Sequence, residues 1–118
     1  MGDDEQPVEG ILDALGDAEA RRILATVNPE PLSAKEIGQR LDLSLPTVYR
    51  RLDMLESHDL VEARTLVAEN GNHYKVFECT FESTLITLEG EEFTAEVSHK
   101  EGLPERFSSL WDDIRDNR

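Results

Sequence analysis

Between Ser44 and Arg51 the chain gathers its densest set of side chains able to do chemistry: Ser44, Thr47, Tyr49, Arg50 and Arg51, with Leu45 beside them. Ser44 and Thr47 offer short hydroxyls that reach a phosphate or a base edge, and Tyr49 can reach a phosphate or stack on sugar and thymine methyl groups. Arg50 can read guanine through its paired donors, and Arg51 can reach the backbone or the groove. This is chemistry for binding rather than for making bonds. The sequence has no G-x-G-x-x-G, no phosphate-binding glycine loop, no H-E-x-x-H and no nucleophile elbow, and its acidic pairs, such as Glu91-Glu92 and Asp112-Asp113, read as solvated surface. An enzyme is not expected.

A metal centre or cofactor is not expected either. Cys79 is the single cysteine, so it cannot close an internal disulfide, and His58, His73 and His99 lack ligand spacing. Cys79 reads as a small residue of a strand, with a redox role through a partner subunit as the alternative.

The elements that must hold the 44–51 cluster follow from periodicity. Val8, Ile11, Leu12 and Leu15 recur at helical spacing up to Gly16, and Asp17 can cap a second helix with Ala20, Ile23, Leu24 and Val27 on one side. Pro29 and Pro31 close that segment. Ser33 followed by Glu36 has the capping-box spacing, which opens a helix presenting Ala34, Ile37 and Leu41 inward, while Gly38 leaves room for a close crossing. Ser44 can cap a further helix over 44–57, with Pro46 near its first turn and Val48, Leu52 and Leu55 on the buried face. Only a short turn separates the two helices, so they form a helix-turn-helix hairpin.

The period then changes to alternation. LVEARTLVA and HYKVFECTF flank the turn signal ENGN, a hairpin in the position of a wing, and STLITLEGEEFTAEV reads as a second hairpin that enlarges the sheet. The fold class expected is α+β: a winged helix-turn-helix with an extended β-hairpin sheet and a C-terminal helix. Residues 1–7 read as a flexible acidic tail and residues 8–100 as the domain. Residues 101–118 read as an amphipathic helix carrying Phe107, Leu110, Trp111 and Ile114.

On this frame the second helix of the pair enters the major groove. Lys35 and Arg40, on the bracing helix, suit phosphate positioning, and the turn at 69–73 offers Asn70, Asn72, His73 and Lys75, with Arg64 at the base of the wing. Alternatives stay open for each. Arg50 and Arg51 can pair with Asp53 or Glu56, Tyr49 can cover a core edge, and ENGN makes a sound turn in a protein that binds nothing.

Charge bears on the same question. The 118 residues carry 26 acids and 12 bases, a formal net charge of −14, where nucleic-acid binding ordinarily goes with a basic field. The excess lies in the flanks, for residues 31–75 hold seven acids against six bases and Leu43 to Leu52 hold no acid. High acid content with three lysines against nine arginines resembles the composition of salt-in halophiles.

The stretch ALGDAEARRILATV followed by LSAKEIGQRLDLSLPTVYRRLDMLESHDLVE resembles the ArsR-like winged-helix transcriptional regulators, especially their small haloarchaeal members, over residues 11–80. The resemblance implies a homodimer that reads inverted repeats in double-stranded DNA, with Leu43, Ser44, Thr47, Val48, Arg50 and Leu52 matching the recognition-helix pattern. It also implies terminal helices in the dimer interface. Ile11, Leu12, Leu15, Phe107, Leu110, Trp111 and Ile114 are the candidates, the alternative being that they complete a monomeric core. The family's metal sensing does not carry over, for want of ligands, and an effector is not legible. The rival function is a winged helix that docks on proteins of the transcription machinery without reading bases. No apolar run approaches the roughly 20 residues of a membrane span, and the acidic N-terminus is unlike a signal peptide, so a cytoplasmic location is expected.

Overall fold

The computed structural model describes residues 3–100. Four helices come first after a short strand: β1 (Asp3–Gln6), α1 (Val8–Gly16), α2 (Ala18–Val27), α3 (Ala34–Leu41) and α4 (Leu45–Ser57). Four strands follow: β2 (Val61–Val67), β3 (His73–Cys79), β4 (Phe81–Glu89) and β5 (Glu92–His99). None of the described helices is long and apolar enough to cross a membrane.

Each helix begins where a side chain can satisfy its orphan N–H groups, except α1, which starts after Pro7 without a side-chain cap. The Asp17 carboxylate accepts from the Ala20 N–H at 2.9 Å to open α2. At α3 the capping box is complete, with the Glu36 N–H donating to Ser33 Oγ at 3.2 Å and the Ser33 N–H donating to Glu36 Oε1 at 2.9 Å. Ser44 caps α4 by accepting from the Thr47 N–H. The inward residues Ile23, Val27, Ile37, Val48, Leu52, Leu55 and Leu60 are all essentially inaccessible and meet Phe77 and Val61 from the strands in one core.

Two strand features depart from expectation. The acidic segment 1–7, expected to be a loose tail, is a strand over Asp3–Gln6, paired antiparallel with β5 from Asp3↔Ser98 to Gln6↔Ala95. An edge strand can carry acids because one row of its backbone groups stays in water, so poor β-propensity is outweighed by the open edge of β5. The extended β-structure is also divided into two sheets, β2-β3 and β1-β5-β4. Thr80 is the corner between them. Its N–H donates to the Leu60 carbonyl at 3.0 Å on the wing side, and its carbonyl accepts from the Lys100 N–H at 2.7 Å on the β5 side. One residue thereby hands the chain from one sheet to the other.

A further pairing completes the wing. Leu32 bridges Phe77 antiparallel, exchanging both backbone hydrogen bonds at 3.0 and 2.8 Å, so a single residue between helices acts as a third strand. The segment expected to form a C-terminal helix, with Phe107, Leu110, Trp111 and Ile114, lies outside the described residues.

Candidate nucleic-acid interface

The angle between α3 and α4 is set by backbone contacts. Asp42 adopts the left-handed conformation (φ 58°) at the end of α3, and the Leu43 N–H returns to the Gly38 carbonyl at 2.9 Å. A Cβ at Gly38 would stand 2.8 Å from the Leu43 carbonyl oxygen, so the turn closes only over a glycine. Arg22 braces the same corner by donating to the Leu41 carbonyl at 3.2 Å. The corner hands α4 its orientation.

The face that α4 leaves outside is formed by Leu45, Pro46, Tyr49, Arg50 and Asp53, all exposed, while Val48, Leu52 and Leu55 are buried. Ser44 Oγ donates to Thr47 Oγ1 at 3.0 Å, which sets both hydroxyls at the helix start. Of the four described helices α4 is the one with no acid in its first turn. Its positive dipole end is therefore unopposed, the condition under which a helix N-terminus attracts a phosphate. Tyr49 is 49% exposed and does not cover a core edge.

The two adjacent arginines separate. Arg50 makes no ion pair or hydrogen bond among the described residues, and its expected alternative partners Asp53 and Glu56 are not engaged with it. Arg51, expected at the DNA, turns instead to the N-terminus of α2. There its Nε stands 3.2 Å from Asp17 Oδ2 and its Nη2 3.1 Å from Glu19 Oε1. One residue along a helix is a rotation of about 100°, which takes Arg51 off the outer face and onto the flank that meets α2. Arg51 is a strut between helices.

The other cations divide likewise. Lys35 is exposed and unpaired among the described residues, whereas Arg40 meets Glu30 at 3.2 Å and Arg64 meets Glu78 across the β2–β3 ribbon at 3.0 Å. The wing runs from Val61↔Cys79 to Val67↔His73, and Gly71 turns its tip at φ 87°. Asn70 is occupied in shaping the tip, its Oδ1 accepting from the Asn72 N–H at 3.0 Å. His73 and Lys75 are exposed on one face, with Lys75 Nζ 6.0 Å from the Phe77 ring centroid. Leu66, Val67 and Tyr74 are exposed too, which gives the wing an apolar surface that its sequence position did not suggest.

Elsewhere the dimer candidates part company. Ile11 is fully buried in the protomer's own core and Leu15 is partly buried against it, so among the α1 candidates Leu12, half exposed, is the one left fully on the surface. No group of three His, Cys, Asp or Glu side chains converges among the described residues. Cys79 is buried, and desolvation pushes its thiol pKa above the ordinary value while Sγ donates to the Phe81 carbonyl at 3.4 Å.

Comparison with known proteins bears on the same residues. A family model described as a helix-turn-helix domain matches residues 11–64. Of solved structures, NolR from Sinorhizobium fredii is similar at a TM-score of 0.47 and 15% identity, covering 91% of this chain and 82% of that one. An ArsR family transcriptional regulator is similar at a TM-score of 0.44 and 15% identity, covering 93% and 90%. No curated protein sequence matches the chain. The matched span runs from Ile11 to Arg64, from α1 through α4 to the base of the wing, with the exposed face of α4 inside it.

Proposed function

We propose that the protein is a sequence-specific, double-stranded DNA-binding transcriptional regulator of the ArsR-like winged-helix type. It acts as a homodimer that places α4 in successive major grooves, with the 69–73 turn as wing. One observation carries the reading: the start of α4 is free of acids, and its outermost cation, Arg50, is unpaired on a chain with a net charge of −14. A solvated helix face with no partner to meet would gain by pairing Arg50 with Asp53, three residues along. Lys35, Ser44, Leu45, Thr47, Tyr49, His73 and Lys75 complete the contact surface, and Arg40 and Arg64 border it from within their ion pairs. Arg51 serves by fixing the helix that carries the others.

Duplex binding is tested by recovering protein-bound genomic DNA at the protein's native salt. An enriched site with dyad symmetry is expected, and the absence of any such site would overturn the specific-regulator reading. Arg50→Ala should cost about 1–3 kcal/mol of discrimination between the cognate site and a scrambled one. An unchanged affinity ratio would remove Arg50 from base reading. The exposed Leu66, Val67 and Tyr74 favour, as a second reading, a wing that docks on a protein partner. That reading is preferred if no DNA site is enriched.

A further inference from the structure

The described chain ends beside an apolar groove. The groove, about 330 Å³, is lined by Leu15, Leu24, Ala25, Cys79 and Phe81, with Arg21, Asn28 and Glu82 at its rim. Lys100 is anchored at that rim twice. Its N–H donates to the Thr80 carbonyl, between Cys79 and Phe81, and its Nζ donates to Asn28 Oδ1. Lys100, the last described residue, is therefore held at the mouth of the groove.

Beyond Lys100 the sequence runs EGLPERFSSLWDDIRDNR, where Phe107, Leu110, Trp111 and Ile114 stand at i, i+3, i+4 and i+7, the spacing of one apolar helical stripe. The seven residues from Lys100 to Phe107 reach at most about 25 Å, ample to fold back. Charge agrees: the segment has five acids against three bases, and Arg21 and Lys100 outnumber Glu82 at the rim. We infer that residues 105–115 dock their apolar stripe in the groove of their own chain, with Trp111 against the Leu15, Leu24 and Cys79 side. The part of the groove's apolar lining still open to solvent, Leu15, Ala25 and Phe81 above all, and the stripe would both otherwise stay in water, at about 25 cal/mol per Å². This inference does not rest on the DNA-binding reading and stands or falls separately.

The chain holds one tryptophan and one cysteine, and the inference brings them together. In the intact protein, Trp111 emission is expected to lie to the blue of the same chain in denaturant, and its triplet-state lifetime to be several-fold shorter than in Cys79→Ser. Both follow from a buried indole in contact with a thiol. Ala25→Glu puts a charge on the exposed helix side of the groove without entering the core, and should shift the emission to the red and lengthen the lifetime. An equimolar mixture of Cys79→Ser and Trp111→Phe chains, refolded together, should keep the long lifetime. Shortening in that mixture would give the groove to a second copy's segment and overturn docking within one chain. Emission like that of the unfolded chain, or equal lifetimes with and without Cys79, would overturn docking altogether.

Discussion

The α3–α4 corner and the β2–β3 wing are both short connections between elements that meet the same proposed ligand, and they are built in opposite ways. A complete capping box opens the helix that leads into the corner, and at the corner itself a left-handed Asp42, the Leu43-to-Gly38 return and the Ser44 cap fix the backbone, while Val48, Leu52 and Leu55 lock the following helix into the core. At the wing, beyond Arg64 and Val76, the ribbon is two strands in water, and its tip is held by the Ala68–Asn72 and Gly71–Ala68 backbone bonds and the Asn70 side chain. A two-stranded ribbon has little independent stability. The corner thus belongs to the global folding unit and the wing tip to the part that opens locally. A reader of base edges needs fixed geometry, whereas a wing tip meeting a backbone can adapt to it.

The contrast is broken most severely at Gly38. Alanine there gains up to about 1 kcal/mol of helix propensity, but its Cβ would sit 2.8 Å from the Leu43 carbonyl oxygen, which is backbone and cannot rotate away. Gly38→Ala is therefore expected to destabilise by a net of about 1–3 kcal/mol, as overpacking does. It should also weaken DNA binding beyond the loss of folded protein, because the turn reopens and α4 tilts. Urea unfolding alongside DNA titration checks this. Increased stability would mean that the corner is looser than its contacts indicate.

The capping box comes next. Ser33→Ala should cost about 1 kcal/mol, and the box gives the start of α3 a pH signature. The Ser33 N–H, bonded to the Glu36 carboxylate, holds that carboxyl below its ordinary pKa. A carboxyl whose folded pKa lies below its unfolded value contributes fully above the latter, about 4.3. It loses that contribution as pH falls through the folded value. Stability measured from pH 6 downward should thus fall less steeply in Glu36→Gln than in the parent. Parallel curves would show the box to be inactive in solution.

How far each region could be read in advance follows the same division. Caps are local codes, so Asp17, Ser33 with Glu36, and Ser44 announce their helices within a few residues, and the buried spacing of Val48, Leu52 and Leu55 fixes which side of α4 faces out. Tyr49 and Arg50 stand where that spacing puts them. Contacts between distant segments carry no such code. Asp3–Gln6 looks like solvated acid until β5 supplies an edge, and Leu32 looks like loop between Pro31 and Ser33 until Phe77 lies beside it. Arg51 looks equal to Arg50 until α2 brings Asp17 and Glu19 to its flank. The stripe of α1 reads correctly as apolar, but periodicity does not say whether Ile11 faces its own core or a partner.

Arg51 and Arg50 make a sharper comparison within α4 itself. Arg51→Ala removes a partly buried side chain that touches two carboxylates and should cost about 0.5–1 kcal/mol, with Asp17 still able to cap α2. Its effect on DNA binding should be the same for cognate and scrambled sites, where Arg50→Ala changes the ratio and leaves the unfolding midpoint almost untouched. A double-mutant cycle of Arg51→Ala with Glu19→Gln should show coupling, and additive effects would mean that the strut is absent in solution.

The smallest expected effect on global stability is at the wing tip. Gly71 sits at φ 87°, where a side chain brings strain of about 1–2 kcal/mol if the tip keeps its shape. The tip has no packed neighbours to enforce that shape, for nothing lies within 4 Å of a Cβ at Gly71. Gly71→Ala is therefore expected to relieve its strain by opening residues 68–72 while the unfolding midpoint stays within error of the parent. Amide exchange at Gly71 (or its replacement) and Asn72 should accelerate, while that at Leu43 and Val48 stays unchanged. If the midpoint instead falls as far as it does for Ser33→Ala, the wing tip is coupled to the core, and the division between a fixed corner and an adaptable wing does not hold.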